Sequence, residues 1–200
     1  LRPRQRYAWS TFLTGEWRTL RLRLTEHSDN LSLDDRAYAV NPPRAGIWLA
    51  PRVPRAFHAA FRSLPATIIT TAPDQADWHL AAVAEDRGHR AWLLYRRDKK
   101  PDLAYAGWQP VNELLVHGDR LLQAVAPELL TIEQALPLRS PQPERPLLAS
   151  SAGPVLALSA DWLYIGFSPE HSQWQNSPSF PIFWDNVFRF YQRRHRFWQA

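Results

Sequence analysis

The chain has 200 residues, 45% apolar and 22% charged, enough for one domain with a full core and a small appendage. Lys and Arg outnumber Asp and Glu by 24 to 19, and the net charge of +5 suits anionic partners, nucleic acid or phospholipid head groups, without choosing between them. Cysteine is absent, which excludes disulfides, thiolate metal sites and a cysteine nucleophile, and no run approaches the ~18–20 apolar residues of a membrane span.

Methionine is absent as well, so the sequence reads as a processed product or a piece of a longer protein. Residues 1–17 are basic and aromatic. TLRLRLT then alternates strictly, with Leu20, Leu22 and Leu24 on one side, and predicts a half-buried strand. After the turn EHSDN, LSLDDRAYAV reads as a second extended segment closed by NPPR. Residues 1–43 are therefore expected to form a β-rich segment, and 44–200 an α/β domain.

In the second part, GIWLA (46–50) predicts a short apolar strand and VPRAFHAAFRSL (53–64) a helix, with Val53, Phe57, Ala60, Phe61 and Leu64 at helical spacing. ATIITT (66–71), WHLAAVAE (78–85) and AWLLYRR (91–97) read as strands, the first rich in β-branched residues. NELLVHGDRLLQAV (112–125) has helical character interrupted at Gly118. SPQPERP is a proline-rich loop. PLLAS and PVLALSADWLYIGFS give strand, turn and strand.

The chain closes on SPSFPIFWDNVFRFYQRRHRFWQA. Phe180, Phe183, Trp184, Val187, Phe188 and Tyr191 follow i, i+3, i+4 spacing, so they share one helix face, with Asp185, Asn186, Arg189, Gln192 and Arg193 opposite. Ser177 or Ser179 can cap this helix, and Pro181 suits its first turn. Alternating strands and helices point to a layered α/β domain with the aromatic stripe packed on the sheet. Past that stripe, Arg193, Arg194, Arg196, Phe197 and Trp198 have the composition of a membrane-surface contact, rings among lipid carbonyls and guanidinium groups on phosphates.

Catalytic signatures are sparse. The seven glycines form no phosphate-cradling loop. His27, His58, His79, His89, His117, His171 and His195 are scattered without metal-ligand spacing, so neither metal nor cofactor is expected. The nearest approach to a nucleophile turn is GFSPEHS, with Ser168 after a strand and His171 three residues on. An enzyme reading would place these two at the crevice where open α/β sheets bind ligands. Asp34 with Asp35, or Asp74 with Asp77, are carboxylate pairs in turn-like contexts. Arg2, Arg4, Arg6, Arg18, Arg21 and Arg23 interleave with Tyr7, Trp9 and Trp17, which is compatible with a nucleic-acid-binding module but carries no known signature of one.

Three segments, in order, resemble one family. HSDNLSLDDRAYAVNPPRAGIWLA, carrying Asp29, Leu31, Asp34, Asp35, Ala37 and Val40, is similar to a stretch of the Bat-type (aerotolerance) bacterial membrane proteins. HGDRLLQAVAPELLTIEQALPL resembles a later segment, with Asp119-Arg120-Leu121-Leu122 where the family usually has His-Pro-Leu-Leu. GPVLALSADWLYIGFSPEHSQWQNSPSFPIFWDNVFRFY resembles the family's closing motif, carried best by Phe180, Pro181, Ile182, Phe183, Trp184 and Asn186. The resemblance implies a class I glutamine-amidotransferase-like (flavodoxin-like) α/β domain after the last strands of a β-sandwich-like region. It also implies a place on the extracytoplasmic (periplasmic) face of the bacterial inner membrane, in a parent with membrane spans and a von Willebrand A-type domain. Without cysteine, amidotransferase chemistry is excluded. The expectation is then a non-catalytic interaction domain within an envelope-associated complex, linked by the resemblance to a MoxR-type ATPase system. Asp34, Asp35, Pro181, Trp184 and Asn186 serve as structural motif residues.

Overall fold

A computed structural model describes residues 19–23, 36–40, 44–126, 130–139 and 145–196. The chain divides into two compact units, Leu1–Pro43 and Arg44–Ala200. In the first, β1 (Thr19–Arg23) pairs antiparallel with β2 (Arg36–Val40), with Thr19 opposite Val40 and Arg23 opposite Arg36. Asp34 and Asp35 lie outside the described residues, as do Arg2, Arg4, Arg6, Tyr7, Trp9, Trp17 and Arg18.

The second unit opens with β3 (Ala45–Leu49), α1 (Arg55–Ser63) and β4 (Thr67–Thr70). Pro54 precedes the first turn of α1, where its missing N–H costs nothing. Pro65 pushes Leu64 into an extended conformation and ends the helix. The Thr67 hydroxyl donates to the Phe61 carbonyl at 2.6 Å and satisfies one acceptor of the last turn. β5 (Trp78–Asp86) and β6 (His89–Arg96) form a hairpin. The short β7 (Gln109–Pro110), β8 (Leu115–Val116) and β9 (Gln134–Ala135) follow. The chain then builds β10 (Arg145–Ser150), β11 (Gly153–Leu158) and β12 (Trp162–Ile165), and closes with α2 (Ser179–Arg196).

Eight strands make one mixed sheet in the order β4-β3-β5-β6-β12-β11-β10-β8. Only β3 runs parallel to its neighbours β4 and β5; every other pairing is antiparallel. Side chains alternate across it as the pleat requires. Trp92, Leu94, Leu156, Leu158, Leu163 and Ile165 join the core that contains both helices, while Leu93, Tyr95, Ala157, Trp162 and Tyr164 join a second cluster. That second face is covered by Leu136 and Leu138, with Leu103, Tyr105 and Trp108, rather than by a helix.

The aromatic stripe of α2 is core. Phe180, Phe183, Trp184, Val187, Phe188 and Tyr191 are all buried. Trp184 packs edge-on against Phe61 with centroids 4.8 Å apart and also meets Phe57, Phe180, Phe183 and Phe188. Each such ring contributes about 1.5–3 kcal/mol by burial alone. Pro181 sits in the first turn, and the Ser177 hydroxyl accepts the Ser179 N–H at 3.2 Å.

The segment 112–125 differs from its helical expectation. It supplies β8 and then a 3-10 turn at Arg120–Leu122. Asp119 caps that turn, its Oδ1 accepting the Leu121 N–H at 2.9 Å. Gly118 and the extended Asp119 interrupt the helical register, so the two Leu-Leu pairs do not share a helix face. Gly166 marks a close approach: a Cβ there would lie 2.5 Å from the Leu136 carbonyl oxygen. The Leu136 N–H donates to the Gly166 carbonyl at 2.6 Å, and the buried Tyr164 hydroxyl donates to the Leu136 carbonyl.

Candidate functional site: an arginine-lined cleft

At the β10–β8 edge of the sheet, the C-terminal half of α2 faces the segment 119–123 and the start of β10. A cleft of about 660 Å³ opens there, lined by Asp119, Arg120, Gln123, Arg145, Arg189 and Arg193, with Leu121, Asn186, Phe190 and Arg194 completing its wall. Residues 186, 189, 190, 193 and 194 recur at i, i+3, i+4, i+7 and i+8, so one stripe of α2 supplies them. A shallower hollow of about 540 Å³ continues along Val116–Gln123 and adds His117.

Two fixed contacts hold the walls. Asn186 Nδ2 donates to the carbonyls of Leu121 and Gln123, each at 3.1 Å, and so fastens α2 to the turn. Asp119, its side chain only 5% exposed, uses its second oxygen to accept Arg145 Nε at 2.5 Å. Arg189 pairs with Asp185 one turn earlier at 2.7 Å. Among the described residues, Arg120, Arg193 and Arg194 have no carboxylate partner. Five arginines against Asp119 and Asp185 thus leave three uncompensated positive charges around one concavity. The α2 dipole is negative at this end and draws arginines toward it, but its ~0.3–1 kcal/mol does not offset three guanidinium groups.

Arg193 and Arg194, singled out in the sequence for membrane contact, therefore line a cleft with residues from other elements. Arg196 is the last residue of α2, and Phe197 and Trp198 lie outside the described residues. Arg189 was visible in the sequence only as part of the polar face of the helix. Arg120 and Arg145 carried no local signal, because only the fold brings the turn and β10 against α2.

Ser168 and His171 are neighbours that do not form a side-chain hydrogen bond with each other. Ser168 is 2% exposed; its Oγ accepts the Arg90 N–H at 2.5 Å and donates back to the Arg90 carbonyl at 3.3 Å. Its own carbonyl accepts the N–H groups of His171 and Ser172, both at 3.1 Å, which makes a plain turn. The exposed His171 instead meets His89, Nδ1 to Nδ1 at 3.2 Å, a contact that needs one nitrogen protonated and the other bare. Nearby, a hydrogen bond from Arg90 holds the Glu85 carboxyl below the usual carboxylate range. Asp77 is structural, its Oδ2 accepting the Gly46 N–H at 2.7 Å, and the Asp74 carbonyl accepts from Arg97. Among the described residues no three metal-ligating side chains converge, and no helix is long and apolar enough to cross a membrane. Comparison with family models, curated proteins and solved structures gives no match.

Proposed function

We propose that the chain is a non-catalytic interaction domain whose working surface is the arginine-lined cleft. The observation that carries this reading is the convergence of five arginines from a helix, a turn and a strand, three of them without a carboxylate partner among the described residues. Solvated charge runs lie on one element; here three separated segments present their charge to one hollow. The engagement of both Ser168 hydroxyl functions by the Arg90 backbone supports a turn-fastening role for that residue rather than a nucleophilic one.

On the resemblance to Bat-type proteins, the domain belongs to a membrane-anchored bacterial parent and acts at the extracytoplasmic face of the inner membrane. There it contributes to an envelope-associated complex, with a MoxR-type ATPase system as the proposed connection. The amidotransferase-like, flavodoxin-like relation comes from that resemblance, and the parallel unit β3–α1–β4 with β5 beside it is compatible with it. The antiparallel remainder of the sheet and the helix-free second face depart from that layering.

The test is site-specific photo-crosslinking in cells producing the full-length parent. A photoreactive residue at the exposed Gln123, within the cleft, should give a discrete adduct that charge reversal of Arg120, Arg193 and Arg194 abolishes. The same probe at the exposed Gln173 should give none. Equal adducts from both positions, or an adduct indifferent to charge reversal, would contradict the reading.

A further inference from the structure

We propose that the cleft holds a phosphate group carried as an ester; this rests on the interaction-domain reading and names the ligand chemistry of the same surface. The donors are of the right kind. A guanidinium offers a rigid fork of N–H groups that matches phosphate oxygens in pairs, and Arg is favoured wherever such planar recognition is needed. Arg193 and Arg194 come from α2 and Arg120 from the facing turn, so the three arginines without a carboxylate partner among the described residues line opposite walls. The two remaining arginines are already oriented by carboxylates, Arg145 by Asp119 and Arg189 by Asp185.

The dimensions also fit a compact group. A hollow of about 660 Å³ is of the order of a small-molecule site. Three positive charges in excess match a phosphomonoester of nearly two negative charges better than one carboxylate. Half-buried Phe190 provides an apolar patch beside the arginines, suited to the carbon skeleton that bears the ester. The walls are held without help from a ligand, since Asn186 binds both carbonyls of the turn. A preformed cleft spends little of its binding energy on ordering.

The chemistry has two sources, a soluble phosphate ester or the head group of an anionic phospholipid, and the experiment separates them. Titration calorimetry of the full chain with glycerol 3-phosphate tests the first. Co-sedimentation with phosphatidylcholine vesicles, with and without phosphatidic acid, whose head group is a phosphomonoester, tests the second. Each is repeated with R120Q/R193Q/R194Q. These three side chains are exposed, so the variant should melt as the parent chain does, checked by circular dichroism. At roughly fivefold per arginine, the variant should bind about a hundredfold more weakly. Binding should also fall steeply between low and high salt. Saturable binding of the soluble ester assigns a soluble ligand; binding of phosphatidic acid vesicles alone assigns a head group; either supports the proposal. Absence of both, or binding unchanged in the variant, overturns it. If the Gln123 photo-adduct persists in that case, the interaction-domain reading stands without a phosphate ligand. If the adduct is also indifferent to charge reversal, both fail.

Discussion

Ser168→Ala separates a structural serine from a nucleophile. β12 ends at Ile165, yet the strand beside it, β6, continues back to His89, so the Arg90 N–H lacks a ladder partner on that side. The Ser168 hydroxyl supplies one, accepting at 2.5 Å, and returns a long bond to the Arg90 carbonyl at 3.3 Å. Alanine removes both and leaves a backbone donor unpaired beside a side chain that is 2% exposed. An orphaned buried donor costs about 1–3 kcal/mol. For a domain of this size about 2–4 °C of Tm accompanies each kcal/mol, so the midpoint should fall by roughly 2–12 °C. Urea unfolding followed by circular dichroism should show a lower midpoint with an unchanged slope, as expected when stability alone changes. His171→Ala, at an exposed position, should stay within about 0.5 kcal/mol of the parent chain. A Ser168→Ala variant as stable as the parent would refute the turn-fastening argument and return Ser168 to candidacy as a reactive group.

Trp184→Ala empties a fully buried site ringed by five phenylalanines and should cost about 3–5 kcal/mol in the same unfolding assay. Trp184→Phe should cost much less, because it keeps an aromatic ring in the site and the indole N–H it removes has no hydrogen-bond partner among the described residues. Asn186→Ala should lower stability by about 1–2 kcal/mol and speed hydrogen exchange in Leu121–Gln123, since both carbonyls of the turn lose their donor. At alkaline pH the buried Tyr164 has its pKa raised by burial and then by Tyr105, so it stays protonated in the folded state after the unfolded chain has ionised. Its contribution is complete below the ordinary phenol pKa near 10 and is lost above it, at about 1.4 kcal/mol per pH unit. Tyr164→Phe should flatten the stability profile above pH 10 by that slope; a parallel profile would contradict the assignment.

The aromatic stripe of α2 could be read from sequence because burial of five rings and Val187 at helical spacing leaves little choice of structure. The strands at 46–50, 66–71, 78–85 and 91–97 were visible as short apolar runs. Their pairing was not, since a run such as AWLLYRR fits a parallel or an antiparallel neighbour equally well, and five of the seven pairings are antiparallel. Residues 112–125 misled because leucine spacing suggests a helix, while the Asp119 cap turns the backbone after Gly118 and commits it to a 3-10 turn beneath α2. The cleft was half legible. Arg189 and Arg193 belong to the polar face of the closing helix, but Arg120 and Arg145 reach it only through Asn186 and Asp119, whose tertiary contacts no local pattern encodes.

The most direct measurement is an NMR titration of the full chain with inorganic phosphate, observing the arginine Nε–Hε signals. The account predicts saturable shifts at Arg120, Arg193 and Arg194, smaller ones at Arg145 and Arg189, and none at the exposed Arg52 and Arg62. Uniform drift of all arginines, or shifts centred on His89 and His171, would contradict the cleft as the working surface of this domain.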